Sequence, residues 1–174
     1  MINAIEKRKS IRSFENRKVE LEKIDNILHA AMRAPSASNV QPWEFLVIND
    51  EQLLESMNGF SRGAHAMKTA KLVIVVLMKK IPQREAMNLT SLSYEDLGAC
   101  TENLWLQAIE EGLGVSWMGI APDSDDETAL CKLLNLPEDL KVFSVMAVGY
   151  PSAEVDLNPV DRYDSARIHY NNYK

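Results

Sequence analysis

The stretch Leu72–Met78, LVIVVLM, is seven apolar residues without a break, and Val73, Ile74, Val75 and Val76 are β-branched. A strand with one wet face alternates apolar and polar side chains, whereas an uninterrupted β-branched run reads as a strand covered on both faces. The run is far too short to cross a bilayer, which takes roughly 20 residues. It predicts a central strand, and the chain on either side has to supply the layers that cover it.

Working outward, Glu44 to Ile48 predicts a second strand, followed by a short helix near 51–57. Residues 21–33 form a helix pattern with Leu21, Ile24, Leu28 and Ala31 on one stripe, and 2–8 predict a short helix. On the other side, 82–93 are polar and aperiodic and read as a surface excursion. Tyr94 to Glu111 is strongly helical, with Leu97, Thr101, Leu104 and Ala108 on one face and Gly112 and Gly114 as a stop. VSWMGI (115–120) predicts a short strand, 125–134 a helix ending before Pro137, and VFSVMAVGY (142–150) the last strong strand. The tail from Pro151 is irregular. Helices and strands interleave without strict βαβ alternation, which favours an α+β fold over a doubly wound sheet. With no repeat, linker or low-complexity tract, residues 1–174 are expected to be a single domain.

Composition narrows the function classes. With 46% apolar and 25% charged residues, the chain has the make-up of a globular protein with a real core. A net charge of −6 disfavours nucleic acid as a partner. No apolar span or secretory h-region is visible, so no membrane association and a cytoplasmic location are expected. Cys100 and Cys131 are isolated from each other and from the histidines, as reduced thiols would be, and no metal site is expected. His29 lies off the helical stripe and reads as solvent-facing. The charge is uneven: residues 1–18 hold six basic side chains against Glu6 and Glu15, which suggests a site for a small anion.

Four stretches could carry chemistry. In RKSIRSF (8–14), an extended backbone would project Arg8, Ser10 and Arg12 together and leave Ile11 for the core. Two guanidinium forks and a hydroxyl suit a phosphate monoester, although the same run also reads as solvated basic surface. RAPSASNVQPWEF (33–45) offers Ser36, Ser38 and Asn39 from a loop braced by Pro35 and Pro42, more polar groups than a helix-to-strand turn requires. In GLGVSWMGIA (112–121), helix termination does not explain Gly119. A strand glycine marks close approach of a ligand to the backbone, or tight packing of two backbones. Finally, VGYP (148–151) leads into NPVDRYD (158–164), where Arg162 follows the last strand.

In this order, RKSIRSF, APSASNVQPWEF, NLWLQAIEEGLGVSWMG, VGYP and the terminal arginine region resemble the nitroreductase-like FMN-dependent oxidoreductases, across nearly the whole chain. The resemblance implies a central, mostly antiparallel sheet flanked by helices in an intertwined homodimer. It implies that Arg8, Lys9, Ser10 and Arg12 contact the flavin's phosphate, ribityl chain or ring edge, and that Arg162 pairs with the phosphate. Pro35, Ser36, Ser38 and Asn39 would arrive from the partner chain. Trp117, Met118, Gly119 and Ile120 would line the ring near N5. The chain departs from the family pattern at Ile120, where many members have a second Gly or a Glu–Gly pair, and at Val160, where members with a Lys-x-Arg pair have lysine.

The function this implies is an FMN-dependent NAD(P)H oxidoreductase with a ping-pong cycle. NADH or NADPH would reduce the flavin, and a nitroaromatic, quinone or similar conjugated small-molecule acceptor would take the electrons. No side chain is nominated as catalytic, because the flavin carries the hydride chemistry. The alternatives are a flavin-binding sensor or carrier without turnover, and a flavoenzyme of different chemistry such as reductive dehalogenation or flavin breakdown.

Overall fold

The computed structural model describes residues 2–60 and 64–173. Its strands are β1 (Trp43–Ile48), β2 (Leu72–Lys79), β3 (Gly114–Gly119) and β4 (Leu140–Gly149). They pair antiparallel throughout, in the order β1-β2-β4-β3. The helices are α1 (Asn3–Lys7), α2 (Leu21–Ala31), α3 (Glu51–Ser56), α4 (Pro82–Ala86), α5 (Ser91–Glu110) and α6 (Asp125–Leu133).

β2 is an inner strand and Leu72 through Met78 are all buried, as the unbroken apolar run requires. Its side chains divide between two cores with the two-residue period of a strand. Leu72, Ile74, Val76 and Met78 pack on Ile24 and Ile27 of α2 and Leu97 and Leu104 of α5. Val73, Val75 and Leu77 face the other way, onto Leu54, Met57, Met67 and Leu130. A sheet with helices on both sides leaves no wet face, so even an antiparallel strand loses its alternation here.

One reading of the sequence needs correction and another needs refinement. Leu21, placed on the buried stripe of α2, is 73% exposed, while Ile27 is fully buried. Leu21 is the first helical residue, and the face that meets the sheet is Ile24, Ile27 and Ala31. The stretch 82–93 lies largely at the surface, as read, but it is helical where the sequence looked aperiodic, and two of its polar side chains turn inward. Pro82 opens α4, α5 begins already at Ser91, and Arg84 and Ser93 are buried. Their burial is invisible to hydropathy because it is satisfied by hydrogen bonds.

Two local irregularities shape the region beside β3. The β2–β4 register shifts between Val76 and Leu77, so that Phe143 is an extra residue between Ser144 and Val142. A bulge re-aims side chains, and Phe143 packs on the α5 side. At the end of α5, Gly112 takes φ +75°, the left-handed cap that glycine accepts without strain. Gly114 answers a different need: a Cβ there would lie 2.6 Å from Ile11 Cγ1. The N-terminal segment crosses at this point, with Ser10 bridged to Val115 and Ile11 N–H donating to Val115 O at 2.9 Å.

The tail first runs beside that segment, with Phe14 bridged to Pro151 and Ser152 N–H donating to Ser13 O at 3.1 Å. Beyond Val155 it is exposed throughout, including one short 3-10 turn at Ser165–Arg167. Among the described residues no helix is long and apolar enough to cross a membrane.

Candidate functional site

Residues 8–14 run beside β3 and the start of the tail, but their side chains do not alternate strictly, because Ile11 and Phe14, three residues apart, enter the same core. Ile11 is buried in the core on the α3 side. Arg8 lies on the α5 side, its guanidinium carbon 4.5 Å from the ring centroid of Trp105. Ser10 is half-buried and Arg12 exposed. Among the described residues neither Arg8 nor Arg12 has an ion-pair partner, so both forks remain available to an anion. Lys9 projects away from them, with Nζ 3.3 Å from Asn158 O and 3.7 Å from Asp156 in the tail.

Trp105 begins an aromatic row along the sheet edge. Its ring centroid is 6.3 Å from that of Trp117, Trp117 is 6.0 Å from Phe143, and Phe143 is 6.2 Å from Tyr94. The bulge in β4 is what brings Phe143 into line. Trp105 is almost fully buried, yet its Nε1 has no hydrogen-bond partner among the described residues. A buried donor without an acceptor is uncommon, and this one belongs to the residue that carries Arg8.

Gly119 follows Trp117 on the same side of β3 and is exposed. A Cβ on it would meet nothing nearer than Trp117 Nε1 at 3.9 Å. Tight packing against the chain's own backbone is therefore not the reason for glycine here. Met118 and Ile120 point into the opposite core and are buried, so only their backbones can face a ligand. The Ile120 N–H is already given to Phe143 O at 3.1 Å.

The loop at 33–45 is built from strained turns. Ser38 (φ 57°), Asn39 (φ 53°) and Gln41 (φ 52°) all occupy the left-handed region. Ser36 Oγ accepts the Gln41 N–H at 3.0 Å and Asn39 Oδ1 accepts from Gln41 Nε2 at 3.2 Å. Ser36 thus closes the turn, whereas Pro35, Ser38 and Asn39 are exposed. The loop is anchored through Ala37, whose N–H donates to Asp96 Oδ1 at 2.8 Å and whose carbonyl accepts from Arg84 Nη2 at 2.7 Å. Arg84 Nη1 also donates to Asp96 Oδ2 at 2.7 Å and to Ser93 Oγ at 2.8 Å. Sequence reasoning missed these anchors. The available signal was polar Ser93 and Asp96 one turn before Leu97 and Cys100 on the buried side of α5.

Within one chain the Arg8 cluster and the 36–39 loop meet the same helix at different levels. Trp105 and Asp96 stand roughly 13 Å apart along α5 at 1.5 Å per residue. Arg162 lies on the exposed tail and has no hydrogen-bond partner among the described residues. The described residues hold no cluster of potential metal ligands. Both cysteines are free, and burial pushes the Cys100 thiol up to about 12.

The chain's likeness to known proteins covers all of these elements. The Nitroreductase family profile matches residues 5–64 and 60–150. A protein of Archaeoglobus fulgidus, provisionally named an NADH dehydrogenase/NAD(P)H nitroreductase, is 38% identical over 93% of this chain and 92% of its own length. A Clostridium acetobutylicum structure, provisionally described as an NADH oxidase, is 39% identical and superposes with a TM-score of 0.90, covering 98% of this chain and all of the other. An FMN-dependent nitroreductase from Clostridium difficile is 28% identical with a TM-score of 0.86, over 99% of this chain and 100% of that one.

Proposed function

This chain belongs to the nitroreductase family, and on that premise we propose that it is an FMN-dependent oxidoreductase drawing reducing equivalents from NADH or NADPH. The electrons pass to a small conjugated acceptor, such as a nitroaromatic or a quinone. The observation that carries this reading is the Arg8 guanidinium, stacked on Trp105 and without an ion-pair partner among the described residues, beside the edge strand whose Gly119 keeps an open face.

The residues present fit FMN. Arg8, Ser10 and Arg12 offer charge-assisted donors for a phosphate monoester, and Arg162 on the tail adds another cation. The backbone of Trp117–Ile120 offers a glycine surface against which a planar ring can lie. FMN supplies the hydride chemistry when bound. The chain's task is to bind and orient it, and to exclude side reactions. Cys100, buried and kept protonated, is no competing nucleophile.

Because one chain sets the 36–39 loop and the Arg8 cluster at different levels of α5, the complete site is assembled in a homodimer. Ser38 and Asn39 of one copy reach the flavin held by the other. The enzyme works in the cytoplasm, where both thiols stay reduced.

Purification without added flavin, followed by a visible spectrum and chromatography of the released chromophore, tests the reading. Yellow protein that releases FMN and is bleached by anaerobic titration with NADH or NADPH is the expected result. FAD, or no flavin even after reconstitution, overturns it. Bound FMN that neither nicotinamide reduces leaves a binding protein in place of a reductase.

A further inference from the structure

The exposed ends of the 36–39 loop are held from beneath by two buried charged residues that the proposed function does not use. Arg84 and Asp96 have side chains only 7% and 6% exposed and form a salt bridge of 2.7 Å. Between them they take both polar backbone atoms of Ala37, the N–H on Asp96 Oδ1 and the C=O on Arg84 Nη2. Ser93 accepts another of the guanidinium protons. No other loop residue is tied to the body of the protein by side-chain hydrogen bonds among those described. Ser36, Asn39 and Gln41 bond only within the loop.

Such an anchor has work to do. Ser38, Asn39 and Gln41 all sit at positive φ, a conformation that non-glycine residues leave unless their surroundings over-determine it. A buried ion pair is weak evidence for stability, because an apolar pair of similar volume often does as well or better. What an apolar pair cannot do is grip the N–H and the carbonyl of one residue together.

We propose that Arg84 and Asp96 are positioning residues for the flavin: they fix Ala37, and through it they present Ser38 and Asn39 in the one conformation that meets FMN. This rests on the FMN reading above. α4, between β2 and α5, carries Arg84 beneath the loop.

The test begins with FMN titration of the unaltered full-length protein, followed by fluorescence quenching and by the visible circular dichroism of the flavin. If no FMN binds, the proposed function falls, and this inference with it. If FMN binds, Arg84→Lys separates the two ideas, since lysine keeps the charge but cannot fork between Asp96, Ser93 and Ala37 O. The expected result is FMN affinity about tenfold weaker with an altered flavin dichroism. The double variant Arg84→Met/Asp96→Leu, which leaves no unpaired charge behind, should show the same loss of FMN affinity. Either folded variant binding FMN within about twofold of the parent overturns the positioning role and leaves the FMN reading untouched.

Hydrogen exchange on the unaltered apo protein serves if neither variant folds. The Ala37 amide should be protected before any flavin is added, and exchange at the rate of an unstructured amide overturns the proposal.

Discussion

Arg8 lies across the face of Trp105, with its guanidinium carbon 4.5 Å from the ring centroid, which joins the N-terminal segment to the C-terminal half of α5. The stack contributes ~0.5–2 kcal/mol and leaves the N–H groups on the guanidinium edge free to donate. Arg8→Ala should therefore cost little more than that in stability, yet weaken FMN binding by about tenfold or more, since a charge-assisted hydrogen bond is worth ~1.5–3 kcal/mol. Trp105→Leu should lose ~2–4 kcal/mol of stability as well, because it leaves a cavity beneath the arginine. Urea denaturation of the apo protein alongside FMN titration measures both effects. Unchanged FMN affinity in Arg8→Ala would mean that the arginine only packs.

Gly119→Ala separates ligand contact from fold. Its Cβ enters open space and the backbone φ is ordinary, so the apo protein should be as stable as the parent or slightly more so, by up to ~1 kcal/mol. If the flavin ring lies against this backbone, the same methyl should reduce FMN affinity several-fold. A variant that gains stability and binds FMN normally would remove Gly119 from the site.

Arg17, Glu20 and Tyr150 make a small cluster with a definite acid signature. The Tyr150 hydroxyl donates to Glu20, Arg17 Nη2 donates to its other oxygen at 2.8 Å, and Arg17 covers the Tyr150 ring at 3.7 Å. Led by the tyrosine hydrogen bond, these contacts lower the Glu20 carboxyl from 4.5 to about 2. A depressed carboxyl stabilises the fold fully above its unfolded value and loses that contribution as pH falls through the folded one. Melting temperature should thus drop between pH 4.5 and about 2, and Glu20→Gln should flatten this limb. An identical acid slope in the variant would show that other carboxylates govern it.

If two copies share each flavin as proposed, flavin binding and dimerisation should be coupled. FMN then favours the dimer by mass action. Sedimentation of apo and FMN-loaded protein over a dilution series should show the loaded form dissociating at lower concentration, with Asn39→Ala weakening the effect. A protein that stays monomeric with FMN fully bound refutes the shared site.

The sheet was readable because its evidence is local. Leu72–Met78 declares a doubly covered strand, and Leu97, Thr101, Leu104 and Ala108 declare the helix that covers it; all four of those helix residues are fully buried. The stripe of α2 was misjudged by one element end, where a helical period still runs but the core has stopped. Gly114 was read as part of a helix stop, and only the structure shows Ile11 lying across it. Arg84 and Asp96 were illegible for a deeper reason. Each looks like surface when taken alone, and burial becomes affordable only through partners at Ser93 and Ala37 that no periodicity connects.

The crossing of Ile11 over Gly114 also bears on solubility. β3 is the last strand of the sheet, and an uncovered last strand is a template on which another chain can add. The N-terminal segment sits on that margin, bonded to Val115, with Ile11 and Phe14 sunk into the core beside it. Trimming the chain past Phe14 would strip this guard as well as the arginines, so such fragments should precipitate instead of surviving as flavin-free protein. A tag or fusion at the amino end faces the same constraint, and a carrier that pulls residues 8–14 off β3 would invite self-association at the margin it uncovers.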